Sequence, residues 1–292
     1  MRLRTLNRTG DRPALEQLWA AALGPVWPVL PLGLDIVTDG LVAGEGGTTL
    51  GMVAIDPGGS IPLLMVDPAH QGRGVGSALL EAACARLDSL GAKTVGLGSG
   101  GANYIWPGVP DDLTTAVGFF EARGWSWDEP VIDLVGDLRG YTPPLEVPGA
   151  ATQAGISFHV MTEQDAADVL AFEAANFPNW VWWFERRHES ALVARDVTGR
   201  VVGALLFRGP PEATIYVPLL GPLAGTIGCV GVTADARNLG VGSAMVARAS
   251  EMLRDAGTEV CHIGWTVREQ FYVRLGYKPW RRYLMSRRAL RA

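Results

Sequence analysis

The chain has 292 residues, 48% of them apolar and 19% charged, with a net charge of −5. That is material for two domains of average size and too apolar a balance for disorder. Residues 1–145 carry 9 Lys and Arg against 16 Asp and Glu, and residues 146–292 carry 16 against 14. No sustained basic stripe results, which argues against a nucleic-acid partner, whose binding rests on neutralised phosphates.

The N-terminus, "MRLRTLNRTGDRP", lacks the apolar core of a secretory signal, and no run of about 18 uncharged apolar residues follows. A soluble cytoplasmic protein with no membrane partner is expected. Cys84, Cys229 and Cys261 are odd in number, far apart and set in apolar sequence, so they read as reduced core residues rather than a disulfide framework or a metal site.

In chain order, "RPALEQLWAAAL" reads as a helix. "DIVTDGLVAGEGGTTLGMVAID" reads as a hairpin with Asp39-Gly40 at its turn. The apolar run "SIPLLMV" reads as a buried strand, followed by the turn "DPAHQGRG" and the helix "SALLEAACARLDSL". In that helix Leu79, Ala83, Leu87 and Leu90 form one stripe, and Gly91 suits its C-cap. The strand "TVGLGS" follows, then the loop "GGANYIWPGVPDD" and a closing element, "FFEARGW".

Pro and Gly then interrupt any period in "LRGYTPPLEVPGAATQAG". The expected division is a first domain over 1–142, a linker over 143–155 and a second domain over 156–292. The second half repeats the order. A helix, "TEQDAADVLAFEAANF", leads to the aromatic segment "NFPNWVWWFERRHES" and a hairpin turned at Thr198-Gly199. The strand "TIGCVGV", the turn "TADARNLG" and the helix "SAMVARASEMLRDA" with its cap Gly257 come next. "VCHIGW", "FYVRLGY" and a basic tail read as a solvated terminal strand complete it.

A shift of 166 residues aligns Val66–Gly91 with Val232–Gly257 without a gap, and 9 of the 26 positions are identical. Such an offset is the mark of a repeated unit. Glycines between a strand and a helix can aim successive backbone N–H groups at one anion, with the helix dipole behind them. A P-loop would need Lys-Ser/Thr after the last glycine, and a Rossmann turn would need G-x-G-x-x-G with a later acidic residue. Neither copy complies.

Gln71-Gly72-Arg73-Gly74-Val75-Gly76 and Arg237-Asn238-Leu239-Gly240-Val241-Gly242 instead resemble the Q/R-x-x-G-x-G/A coenzyme A turn of the GNAT superfamily of N-acetyltransferases. "FFEARGW" and "FYVRLGY" resemble that family's closing helix and strand entry. The resemblance covers the essentials of both halves. It implies an α/β fold of two GNAT-like domains in tandem, each a twisted mixed β-sheet flanked by helices.

It further implies acetyl-CoA as cosubstrate. Contacts are implied at Met65, Val66, Gln71, Gly72, Arg73, Gly74, Gly76 and Ser77 in the first half. In the second they are implied at Val232, Arg237, Asn238, Gly240, Gly242 and Ser243. The family's acid is a tyrosine four residues before the closing glycine. Phe120 holds that place before Gly124, and Tyr272 holds it before Gly276, which points to the second half as the competent one.

The first half keeps the better phosphate turn, so the two halves divide their assets. The fourth strands carry no Asp or Glu for a base, which leaves His262, a loop carboxylate or solvent. Trp180 and Trp183 with Glu185 or Glu189 would suit a cationic amine, or would fill a contact between the halves. Tyr104, in a loop 14 residues longer than its counterpart, would cover an acceptor or brace an interface.

The implied function is acetyl transfer to a primary amine of a small or medium-sized molecule. A non-catalytic acyl-CoA or ligand-binding protein is the alternative. Within the enzymes, the tandem layout resembles the mycothiol synthases. A monomer is favoured over a homodimer.

Overall fold

The computed structural model describes residues 1–98, 105–144, 147, 151, 153–186, 190–211 and 214–290. The first half contains β1 (Arg2–Thr5), α1 (Arg12–Ala22), β2 (Asp39–Glu45), β3 (Thr48–Asp56) and β4 (Ser60–Val66). It continues with α2 (Val75–Ser89), β5 (Thr94–Leu97), β6 (Val109–Pro110), α3 (Thr114–Glu121) and β7 (Val131–Asp137).

The second half contains β8 (Ser157–Val160), α4 (Ala166–Asn176), α5 (Val181–Arg186), β9 (Ser190–Arg195), β10 (Val201–Arg208), α6 (Val217–Leu220) and β11 (Ala224–Val232). After these come α7 (Val241–Asp255), β12 (Val260–Thr266), α8 (Glu269–Val273), β13 (Lys278–Leu284) and β14 (Ser286–Ala289). Strands and helices alternate in both halves, as the apolar periodicity predicts. The tight-turn reading of the first hairpin does not hold. Asp39 and Gly40 open β2, and the reversal falls at Gly46-Gly47, both at positive φ (57° and 86°). Two consecutive positive φ values are the demand of a two-residue hairpin turn, and Gly40 instead lies against the Val53 carbonyl with no room for a Cβ.

The chain forms two compact units, and their limits differ from the expected 1–142, 143–155 and 156–292. One unit holds Met1–Val131 with the segment from Arg281 onward, and the other holds Ile132–Trp280. The first sheet runs β1-β2-β3-β4-β5-β14. Its β4 and β5 are parallel, and β14, from the far end of the chain, completes it antiparallel to β5, with Ser286 opposite Leu97.

The second sheet runs β6-β13-β7-β12-β11-β10-β9-β8, and its stretch from β7 to β8 has the same plan. Here β11 and β12 are parallel, and β7, from the first half of the sequence, lies antiparallel beside β12, with β13 and then β6 beyond it. Each half thus gives its closing strand to the other half's sheet. An exposed sheet edge is a row of unpaired backbone groups, and the exchange covers β5 and β12. The basic tail read as a solvated terminal strand is therefore a paired strand of the first sheet.

The second sheet has an apolar layer on each face. On one, Ile227, Cys261, Ile263, Tyr272 and Tyr277 pack with Val241, Met245 and Leu253 of α7. On the other, Val169 and Phe172 of α4 and Phe184 of α5 pack on Val193, Ala204 and Leu206, joined by Phe177, Trp180, Trp183 and Cys229. Among the described residues no helix is long and apolar enough to cross a membrane.

Candidate active site

In each sheet the parallel pair at its centre separates. β4 pairs with β5 only at Ser60 and Ile61, and β11 pairs with β12 only from Ala224 to Ile227. Beyond those points β4 and β11 run on toward their glycine turns paired only with β3 and β10. A widened gap is left between two parallel strands, pointing at the start of a helix.

The turns fill this plan differently. In the first unit Gly72 (φ 73°) and Gly74 (φ 84°) are both left-handed, and an added Cβ at either would meet open space. The first helical bond of α2 runs from Ala78 N–H to Gly74 O, so the amides of Val75, Gly76 and Ser77 stay free for an anion. In the second unit Ala234–Leu239 wind as a 3-10 turn and only Gly240 is left-handed (φ 75°). One glycine fewer gives a tighter and less open cradle.

Several of the expected contacts have a scaffold role as well. Gly76 has Phe119 3.0 Å from where a Cβ would lie, and Gly242 has Phe271 at 3.4 Å. In both copies this glycine lets the closing helix sit against the turn. Gln71 Nε2 reaches Val66 O at 3.3 Å, and Arg237 Nε reaches Val232 O at 3.4 Å, so the Q/R position ties the turn to its strand. Arg123, which sequence reasoning missed, donates to Ser77 Oγ at 2.6 Å and lies over the Phe119 ring at 3.8 Å. Its only sequence signal is its place in "FFEARGW". Met65 is buried in β4, whereas Arg73, Asn238 and Ser243 lie at or beside the turns.

β11 carries a distortion at the gap. Ala204 pairs with Gly231 and Leu206 with Gly228, so β11 has one more residue than β10 between these pairs. Cys229, in that bulge, stands at φ 49°, a left-handed value rare outside glycine. Cys229 and Val230 fall outside the registered pairs of both neighbouring strands. In the first unit the extra residue lies at Ile61-Pro62, two positions earlier by the repeat, and Pro62 has no N–H to offer.

Tyr272, on α8, is buried against Phe271 and Tyr277. Burial pushes its hydroxyl up to about 12, and Cys229 and Arg268 are the nearby groups that also act on it. The expected acid thus lies within electrostatic reach of the bulge. Phe120, its counterpart, packs against Phe119 and Trp125.

His262 is buried, and its Nε2 lies 3.0 Å from Asp133 Oδ2. Asp133, fully buried on the exchanged strand β7, also accepts the Trp265 N–H at 2.8 Å. Tyr216 and Trp280 close edge-on around the imidazole. This partner stands 129 residues away in sequence, where no local pattern could reveal it.

Trp180 stacks on Phe177 at 4.7 Å, and Trp182 meets Trp183 edge-on. Trp180 and Trp183 pack against the α4 layer of the second sheet. Phe177 closes on the end of β11: a Cβ at Gly231 would lie 2.6 Å from its ring. Glu185 is exposed on α5, whereas Glu173 of α4, unnoticed in the sequence, is fully buried. Tyr104 and Glu189 lie outside the described residues. Among the described residues no His, Cys, Asp and Glu group could hold a metal.

Family models place an Acetyltransferase (GNAT) domain at residues 38–126 and the Acetyltransferase (GNAT) family at residues 159–277. The chain is a tandem GNAT protein. It is 27% identical over 214 residues to the mycothiol acetyltransferase of Clavibacter sepedonicus, covering 66% of this chain and 60% of that relative. A GCN5-related glucosamine N-acetyltransferase region of a fungal multi-domain β-N-acetylglucosaminidase superposes with a TM-score of 0.89 at 28% identity. That match covers 98% of this chain and 38% of the fungal one. A tandem GNAT protein from the clavulanic acid biosynthesis pathway has the same fold, with a TM-score of 0.70 at 16% identity over 100% of this chain and 99% of its own. The chain thus spans less than two thirds of the length of the first two relatives.

Proposed function

We propose that this tandem GNAT protein transfers the acetyl group of acetyl-CoA to a primary amine of a small or medium-sized acceptor, by direct attack in the second unit. The observation that carries the reading is the buried Tyr272 hydroxyl within electrostatic reach of Cys229, the bulge residue where β11 and β12 part. The bulge leaves backbone amides near the gap for a developing oxyanion, and a preorganised donor of that kind is the main requirement of acyl transfer.

The acceptor nitrogen attacks the thioester carbon, the C–S bond breaks, and sulfur leaves as thiolate. A thiol titrates near about 8.5, below the pKa of Tyr272. The phenol therefore stays protonated and donates a hydrogen bond as charge grows on sulfur. His262 spends its Nε2 on Asp133, and we assign it the task of holding β7 to β12 beside the gap.

The first unit supports. Its Tyr272 counterpart is Phe120, and the α1 side of its sheet is filled by its own side chains. Trp27 is fully buried, packed on Trp106 at 5.1 Å and on Tyr283 at 6.2 Å, with the Arg281 guanidinium 4.3 Å over it. An open phosphate turn beside a filled acceptor side suits holding coenzyme A without turnover.

Glucosamine, on which the fungal relative is named to act, is the first acceptor to try. Release of free thiol from acetyl-CoA with glucosamine is expected for the natural chain, and Tyr272→Phe is expected to lower its rate about a hundredfold. An undiminished rate in Tyr272→Phe removes the assignment.

A further inference from the structure

Glu173 has no place in the chemistry described so far. It is 0% exposed, and neither carboxyl oxygen has a hydrogen-bond partner. α4 turns it inward beside Val169 and Phe172. One turn later, Phe177 donates its amide to the Glu173 carbonyl and lays its ring against Gly231 at the end of β11. Phe172, Phe177, Trp180 and Cys229 join one apolar layer. By strand alternation His262 points to this same face, because its neighbours Cys261 and Ile263 point to the other.

A buried carboxyl without a donor is rare in folded proteins, because it loses its hydration and gains nothing in return. Such a group beside a reaction gap marks the place of a cation that arrives from outside. Among the described residues no side chain supplies one. Arg195 of β9 is committed to Asp165 and Asp168. Asp168 of α4, Glu185 and Arg186 of α5 and Arg208 of β10 make no hydrogen bond to its carboxyl. Burial alone pushes its carboxyl up to about 8.

We propose that Glu173 receives the ammonium group of the acceptor within the aromatic layer of α4 and α5, and takes the proton that must leave before attack. This rests on the acetyl-transfer reading and names its acceptor class, a primary amine that enters as a cation. The protons balance. The resting carboxyl releases its proton to solvent as the ammonium docks, and the carboxylate then accepts one proton from nitrogen, freeing the lone pair. After attack the second nitrogen proton ends on the coenzyme A thiol, and Glu173 is left protonated as it began. The sum is ammonium plus thioester giving amide, thiol and one proton. The position replaces the strand carboxylate that β4 and β11 lack.

The test is calorimetric titration of the full chain and of Glu173→Gln with acetyl-CoA, and separately with methylammonium, ethanolammonium and glucosamine. Titrations at pH 6.5 in two buffers of different ionisation enthalpy count the protons released. The expected result is unchanged acetyl-CoA affinity in Glu173→Gln, at least tenfold weaker binding of the amines, and loss of the near-unit proton release seen in the natural chain.

Equal amine binding and equal proton release in the two proteins overturn the proposal. So does a natural chain that binds acetyl-CoA but none of the amines. A natural chain that fails to bind acetyl-CoA overturns the acetyl-transfer reading instead, and the amine titrations still decide Glu173.

Discussion

Tyr272 and Phe120 occupy the same place in two copies of one motif, and on the proposed assignment a single hydroxyl separates a reacting gap from a scaffold. That difference was legible in the sequence, because spacing to Gly276 and Gly124 fixes it. Glu173 was not legible: in "AFEAANF" a lone carboxylate among alanines reads as a solvated helix face. Asp133 was hidden for another reason, since its partner His262 lies in the other half. Glu173 also makes stability depend on pH. Its carboxyl, ordinarily near 4.5, is raised to about 8 in the folded chain, so between these values the folded state holds a proton that the unfolded state has lost. Stability is therefore fully present below about pH 4.5 and declines as pH rises toward 8, by an amount on the order of a few kcal/mol. Thermal unfolding of Glu173→Gln set against the natural chain should isolate this slope, with Glu173→Gln gaining most at pH 8. Parallel pH profiles for the two proteins would contradict the burial of an unpaired carboxyl.

At the scale of elements, the glycine turn was readable because left-handed backbone and close approach leave few alternatives to glycine. The β11 bulge was not, since nothing in "TIGCVGV" marks Cys229 for a positive φ. The first hairpin misled for a similar reason: Asp-Gly is a turn signal, but Gly46-Gly47 outcompetes it with two residues free to take positive φ. The wall between Phe177 and β11 depends on Gly231. Gly231→Ala places a methyl 2.6 Å from the Phe177 ring, and overpacking of this kind typically costs about 1–3 kcal/mol. We expect a lower melting temperature and a raised KM for the amine, with acetyl-CoA affinity kept. Steady-state kinetics on both substrates check this, and a raised KM for acetyl-CoA alone would place Phe177 on the wrong side of the gap.

For the whole molecule, repetition in the sequence announced two similar units but not the exchange of their closing strands. Each strand is locally ordinary, and pairing across more than a hundred residues leaves no periodic trace. Neither half of the sequence holds its complete sheet: 1–142 lacks β14, and 156–292 lacks β7. Expressed singly, these fragments should fail to give sharp thermal transitions, and co-expression should restore a soluble pair that purifies together. Two independently cooperative fragments would show that the exchanged strands are dispensable.

On the proposed assignment, acetyl transfer belongs to the second unit while the first holds its turn without chemistry. Glutamate at the αL cap of either turn sets a charge and a strained backbone against a diphosphate. Acetyl-CoA binding by calorimetry and thiol release with glucosamine should therefore be measured side by side on Gly74→Glu and Gly240→Glu. Gly240→Glu is expected to lose turnover together with one acetyl-CoA site, while Gly74→Glu keeps the rate. Turnover that survives Gly240→Glu and disappears with Gly74→Glu would contradict it and move the chemistry to the first unit.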